Sequence, residues 1–349
     1  MPVPPRPLPP DLLRPAVDDV PQRLAPCPGD GGVATVHALR EAGVSPRRMR
    51  ASDLTAPGRG LRAQADAPPG RLELLGALQD VGPRELVFSH DTAAWIWGMW
   101  VPRSLAGHEP VHVSVPAGAP SRPRRRGVVG HRLAEAADTV RCAGLPVTSP
   151  AWTWTDLATR LVPWGRPETV PQRVEERAIE DLIVAGESLL QTPHGASGRR
   201  EPREHPRCTR AELAEVVTRR RNVRGVRLLR AAVDGLRAGS GSPAESRLRL
   251  RLVAADFPEP VMNAPVVLPD GSWLMPDLVW RELRICLEYE GDHHRTDAAQ
   301  FRADIRRVRR LEAAGWICLR VTADVWTPAG FGALLADLRG ALARRGVRI

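Results

Sequence analysis

Two neighbouring stretches, Pro276-Asp277 and Ile285-Cys286-Leu287-Glu288-Tyr289-Glu290-Gly291-Asp292-His293-His294, decide how the C-terminal part of this chain is read. The apolar run into Gly291 reads as a strand. Its period of two sends Ile285, Leu287 and Tyr289 to one face and Cys286, Glu288 and Glu290 to the other. Two carboxylates on one face of a strand exit need a cation or protons to hold them together. Asp277, from a neighbouring apolar segment, supplies a third acid, so the spacing predicts a divalent-metal site of the kind that hydrolyses phosphodiesters. The plain alternative is a solvated acidic strand end.

Working outward, the segment from Pro243 onward reads helix, strand, strand, strand, helix, strand, helix. Glu245, Leu248 and Leu252 share one helix face, which turns Glu245 toward the core, where a carboxylate needs a partner or a metal-bound water. Strands near 261–268 and 272–279 flank the turn Pro269-Asp270-Gly271, and the second delivers Asp277. Phe301, Ile305, Val308 and Leu311 form a helix stripe opposite Arg302, Arg306, Arg309 and Arg310. Gly315 ends that helix, and 316–321 is a further strand.

Upstream the expected order is a Pro-rich, unstructured segment 1–30, a small helical module 31–80, an α+β domain 81–190, a linker 191–206, a helical connector 207–240 and a last domain 241–349. In the helical module, a helix over 36–42, a glycine turn and a second helix capped by Ser45 form half of a candidate helix-turn-helix or winged helix. Arg47 and Arg48 would then face a duplex; a solvated basic face is the competing reading. Ser89 caps a helix running to Trp100, and 111–115 alternates as a strand. Arg124 and Arg125 lie in a Pro/Gly-rich loop, as a phosphate contact or as a solvated hairpin. The tryptophans at 95, 97, 100, 152 and 154 read as core before they read as base-stacking surfaces.

The 349 residues carry a formal charge of +10, from 50 basic residues that are all arginine, against 40 acidic ones. Arginine binds phosphate well, although a lysine-free composition weakens charge as an argument for nucleic acid. Cysteines at 27, 142, 208, 286 and 318 have no paired spacing, which points to reduced thiols and away from a thiolate zinc site. Neither a secretory leader nor an 18-residue apolar run is expected, so the expectation is a cytoplasmic protein with no membrane partner.

The set Glu245, Pro276-Asp277, Glu288-x-Glu290-Gly291, His294, Phe301, Asp304, Arg307, Leu311, Gly315-Trp316 and Arg320 resembles bacterial endonuclease-like domains. These are related to very-short-patch repair nucleases of the PD-(D/E)xK superfamily. The likeness covers roughly 240–340. The start of the chain, Ser89-His90-Asp91-Thr92-Ala93-Ala94 and Val147-Thr148-Ser149-Pro150 are similar to AbiEi-type antitoxins of actinobacteria.

The resemblance implies an α/β fold. Its C-terminal domain would be a restriction-endonuclease-like, four-stranded mixed sheet flanked by helices, preceded by an α+β region. It also implies Mg2+ or Mn2+ held by Asp277, Glu288 and the Tyr289 carbonyl. Glu245 would take a second cation or orient water, His294 would move a proton at the leaving oxygen, and Arg307 and Arg320 would clamp phosphate. Glu290 stands where the superfamily usually places lysine, although related domains often carry an acid there; it would act as a general base or an added ligand.

The expected function is therefore a metal-dependent DNA endonuclease, working as a homodimer if both strands are cut. The competing reading is a non-catalytic DNA-binding or antitoxin-like protein with a toxin partner and a retired nuclease fold. RNA is a third substrate class left open.

Overall fold

The structure, a computed structural model, describes residues 32–107, 109–162, 172–190, 207–290 and 298–348. The Pro-rich start, the linker 191–206, His293 and His294 lie outside the described residues. The chain divides into two units, 1–161 with 215–226, and 162–214 with 227–349. Among the described residues no helix is long and apolar enough to cross a membrane.

The first unit starts with β1 (Val33–Thr35), α1 (Val36–Glu41), a 3-10 turn at Arg48–Arg50, β2 (Leu54–Thr55), β3 (Leu61–Gln64) and α2 (Arg71–Val81). The three strands pair antiparallel in the order β1-β3-β2. Helix α1 falls where the sequence places the first helix of the 31–80 module, and the three strands add a small sheet to it. Leu61 and Ala63 alternate with half-buried Arg62 and Gln64, and that period makes a strand. The second helix of the candidate helix-turn-helix shrinks to one 3-10 turn. Its N-cap position is Arg47 rather than the expected Ser45, although Ser45 Oγ accepts from Arg48 N at 3.2 Å. Helix α2, unread in the sequence, buries Leu72, Leu75 and Leu78 at helical spacing.

There follow β4 (Val87–Phe88), α3 (His90–Trp97), β5 (Val111–Pro116), β6 (Arg124–Arg125), β7 (Val128–Leu133), β8 (Thr139–Cys142), β9 (Leu145–Thr148) and α4 (Pro150–Leu161). Their strands form one mixed sheet, β6-β7-β5-β4-β9-β8. Helix α3 stops three residues short of Trp100 because Gly98 takes the left-handed conformation, φ 63°, and closes it. Within β5, Val111, Val113 and Val115 alternate with His112 and Ser114, yet all five are buried. One face therefore packs apolar side chains and the other encloses polar ones. Trp152 and Trp154 of α4 are core residues, as the sequence indicates.

The second unit contains α5 (Gln172–Leu190). Helix α6 (Arg210–Arg219) spans the division between the units and is followed by α7 (Val226–Gly235). Then come α8 (Pro243–Ala254), β10 (Val261–Met262), β11 (Val266–Val267), β12 (Trp273–Leu274), β13 (Leu278–Trp280), β14 (Ile285–Tyr289), α9 (Ala298–Ala313), β15 (Ile317–Val321) and α10 (Pro328–Arg344).

The central sheet runs β10-β13-β14-β15, antiparallel except for the parallel pair β14/β15. It is four-stranded and mixed, as the resemblance implies. Its two faces split as the period of β14 requires. Ile285, Leu287 and Tyr289 pack with Leu248 and Leu252 of α8 and Leu334 and Leu338 of α10, whereas Cys286 packs with Leu311 of α9. Each fully buried leucine contributes about 1.5–3 kcal/mol, so either face alone anchors its helices. The two long strands expected at 261–268 and 272–279 are each broken, and β11/β12 form a separate small hairpin.

Candidate functional site

Asp277 sits between β12 and β13, and its Oδ2 accepts the backbone N–H of Tyr289 at 2.8 Å, which ties it to β14. Burial raises its pKa, with the Tyr289 hydrogen bond and the Arg307 charge opposing. Glu245 occupies the N3 position after the N-cap Ser242. Ser242 Oγ accepts its N–H at 3.3 Å and donates to Glu245 Oε1 at 2.8 Å, while Oε2 accepts from Gly241 N at 2.8 Å. Asn263 Nδ2 closes onto the same Oε2. Burial first, then the charge of Asp277, push the Glu245 carboxyl up to about 7. Glu245 and Asp277 therefore interact electrostatically, a pairing distinct from the Glu288/Glu290 face read in the sequence.

The strand acids are engaged otherwise. Glu288 pairs with Arg307 at 3.2 Å, and Arg307 also donates to the Met275 carbonyl. Glu290 pairs with Arg320, so both arginines expected on phosphate instead meet strand carboxylates. Tyr289 turns its ring into the α8/α10 core, where its hydroxyl accepts from Trp326 Nε1 at 3.0 Å. Cys286 and Cys318 face each other across β14/β15 with sulfurs 3.2 Å apart. His294 is outside the described residues.

In the first unit, the arginines meet a groove of about 1350 Å³. Its lining includes Arg59, Arg62, Arg124, Arg125 and Arg126, with Glu109 the single acid among the described lining residues. Arg124 and Arg125 form β6, paired antiparallel with β7 around Gly127. Arg125 donates to the Val81 carbonyl at 3.2 Å and Arg62 to the Met49 carbonyl at 2.6 Å, contacts that position guanidinium groups without neutralising them. Arg47 is exposed and takes no part in this lining, while Arg48 is held by Asp53 through two hydrogen bonds of 2.9 and 2.7 Å.

A second polar centre in this unit was not anticipated. His90 at the start of α3, His112 in β5 and His131 in β7 stack on one another. The ring centroids of His90 and His131 are 3.7 Å apart, and Nδ1 of His112 is 3.0 Å from Nε2 of His131. Asp91 and Asp156 border the cluster, 3.7 Å from His112 Nε2 and 3.6 Å from His90 Nδ1. Asp91 is also held by Arg160 at 3.2 Å and Asp156 by Arg220 at 2.6 Å. Burial, then the neighbouring histidines, lower the pKa of both His90 and His131 to about 3, and burial lowers His112 as well. Burial thus favours the neutral form of each ring. The available sequence signal was weak: a histidine inside the apolar alternation of β5. The three positions have no local spacing, and only the parallel β5/β7 pairing brings two of them together.

With this geometry in view, residues 86–182 match the family model of the AbiEi antitoxin C-terminal domain. The stretch contains the six-stranded sheet and all three histidines, and the match bears out the antitoxin likeness there. Uncharacterised proteins of two Mycobacterium tuberculosis strains, CDC 1551 and H37Rv, are each 26% identical to the chain over 256 residues, covering 73% of this chain and 81% of theirs. No solved structure matches the chain.

Proposed function

We propose that this protein is an antitoxin-like, non-catalytic nucleic-acid-binding protein that holds duplex DNA through the arginine-lined groove of its first unit. The groove carries the reading. Five guanidinium groups and one carboxylate on an open concave surface suit a phosphate backbone, where arginine is the favoured contact. The antitoxin match over 86–182 supports it and points to a toxin partner, with a nucleotidyltransferase-like toxin the one to test. The second unit then serves as scaffold or partner surface. Its strand acids already pair with Arg307 and Arg320, and Glu290 stands where a nuclease needs a cation.

A second reading, the Mg2+- or Mn2+-dependent endonuclease, is favoured by the mixed sheet and by the Asp277–Glu245 coupling. One assay separates the two. Duplex DNA is titrated with wild-type protein, Arg124→Ala/Arg126→Ala and Asp277→Asn over a range of salt, with Mg2+ or EDTA, and the products are run on a denaturing gel. Binding without cleavage is expected. The double variant should flatten the salt dependence of log K by about 0.9 per lost phosphate contact. Metal-dependent cuts that vanish in Asp277→Asn would replace this reading with the nuclease. Binding unchanged in the arginine variant would remove the groove from it.

A further inference from the structure

The histidine cluster lies outside the lining of the arginine groove and away from the acidic strand end of the second unit. His112 is 1% exposed, and its Nε2 is buried without a hydrogen-bond partner. That is an uncommon state for a polar atom inside a well-packed sheet. His90 adopts φ 50°, the left-handed region that costs a non-glycine residue energy and is concentrated at sites with a function.

The cluster also has the surroundings of a metal centre. One ligand atom from each of His90, His112 and His131 lies within 4.8 Å of the others, and these three are the only such group among the described residues. Metal-bound histidines commonly turn their second ring nitrogen to a carboxylate, which fixes the tautomer and aims the first. Here Nδ1 of His90 meets Ser89 Oγ at 3.0 Å with Asp156 at 3.6 Å, and Nε2 of His112 leans toward Asp91 at 3.7 Å. That leaves His90 Nε2, His112 Nδ1 and His131 Nε2 for a common ligand. The nitrogens of a tetrahedral zinc shell are about 3.3 Å apart, and His112 Nδ1 and His131 Nε2 are already at 3.0 Å.

We propose that His90, His112 and His131 form a binding site for a first-row divalent transition metal, Zn2+ first among them, with Asp91 and Asp156 orienting the rings. Three imidazoles and no thiolate suit zinc, nickel or copper and disfavour Mg2+ or Ca2+. The site is thus chemically distinct from the acidic strand end in the second unit. To take up the ion, the His131 ring tilts out of its stack on His90, where the two rings now lie 14° from parallel. The bound ion would clasp α3, β5 and β7, and would leave one tetrahedral position for a further ligand.

The test uses the full chain, stripped with chelator and dialysed against Zn2+ or Co2+. One equivalent of zinc should be retained, and Co2+ should give the visible bands of a tetrahedral site. Zinc should shift the imidazole NMR signals of three of the nine histidines in the wild-type chain. His131→Gln and His90→Gln should lose the equivalent, and Asp277→Asn should keep it. No retained ion, or an ion retained unchanged in His131→Gln, would overturn the site. If either glutamine variant fails to fold by circular dichroism, the wild-type NMR decides. Shifts confined to histidines other than these three, or no shift at all, sink the proposal.

Discussion

Arg249→Met tests the strongest internal charge arrangement in the second unit. Arg249 is 1% exposed and Glu187 is fully buried. The guanidinium donates to Glu187 Oε1 at 2.6 Å, to the Gly235 carbonyl at 2.9 Å and to Glu259 Oε1 at 2.5 Å, so it joins α5, α7 and α8. Removing it leaves Glu187 with the Arg237 N–H at 2.9 Å and the Ser246 hydroxyl, and no compensating charge.

Breaking a buried pair from one side costs about 3–5 kcal/mol, which moves a urea midpoint by roughly 2 M for an m-value near 2 kcal/mol/M. Burial already holds the Glu187 carboxyl above its ordinary value, with Arg249 the main opposing influence, so the variant raises it further. A native state that binds more protons than the unfolded chain gains stability as pH falls. The deficit should therefore shrink on going from pH 8 toward pH 5. Glu187→Gln/Arg249→Met should recover most of the loss, since the stranded charge is gone. The reasoning fails if the single variant costs less than about 1 kcal/mol, or if the double variant is no better than the single one.

Further outcomes follow from other contacts. Ser242→Ala removes the capping box of α8 and should cost about 1 kcal/mol, measured by the same denaturation. Glu245 is raised to about 7, so its contribution to stability should fall as pH rises from its ordinary range near 4.5 through 7; in Asp277→Asn this slope should flatten, because the Asp277 charge is the second cause of the shift. Burial pushes the Cys208 thiol up to about 12, so native protein at pH 8 should leave it unalkylated over a time in which urea-unfolded protein reacts fully.

The alternation along Ile285 to Glu290 carried most of what could be read in advance. Side-chain period, strand exit and helix faces are local properties, and the sheet with its two apolar layers confirms them. Ser242-Pro243-Ala244-Glu245 was equally readable as a capping box, but the helical register of Glu245 with Leu248 and Leu252 drew attention to the core instead. The partners of Glu288 and Glu290 were hidden because Arg307 and Arg320 reach them through tertiary packing, which spacing does not encode. The histidines were hidden for the same reason. They lie 22 and 19 residues apart; the parallel β5/β7 pairing brings His112 and His131 together, and the start of α3 adds His90. In the 31–80 module the helix at 36–41 was legible, whereas the short strands were not, because Leu61 to Gln64 offers only two alternations.

The interleaved path of the backbone bears on how the chain can be dissected. Residues 215–226 return to the first unit after the chain has already entered the second. Arg220, in that returning segment, donates to Asp156 at 2.6 Å and to Thr155 at 2.7 Å, and lies over the Trp152 ring at 4.4 Å. A truncated chain stopped at the linker, however natural that boundary looks on paper, would strand a buried carboxylate inside the antitoxin-like portion. The first unit is therefore not separable by a single cut at the linker. A fragment meant to isolate the first must be grafted, with 215–226 spliced back onto residue 161, before its behaviour can be credited to the domain itself.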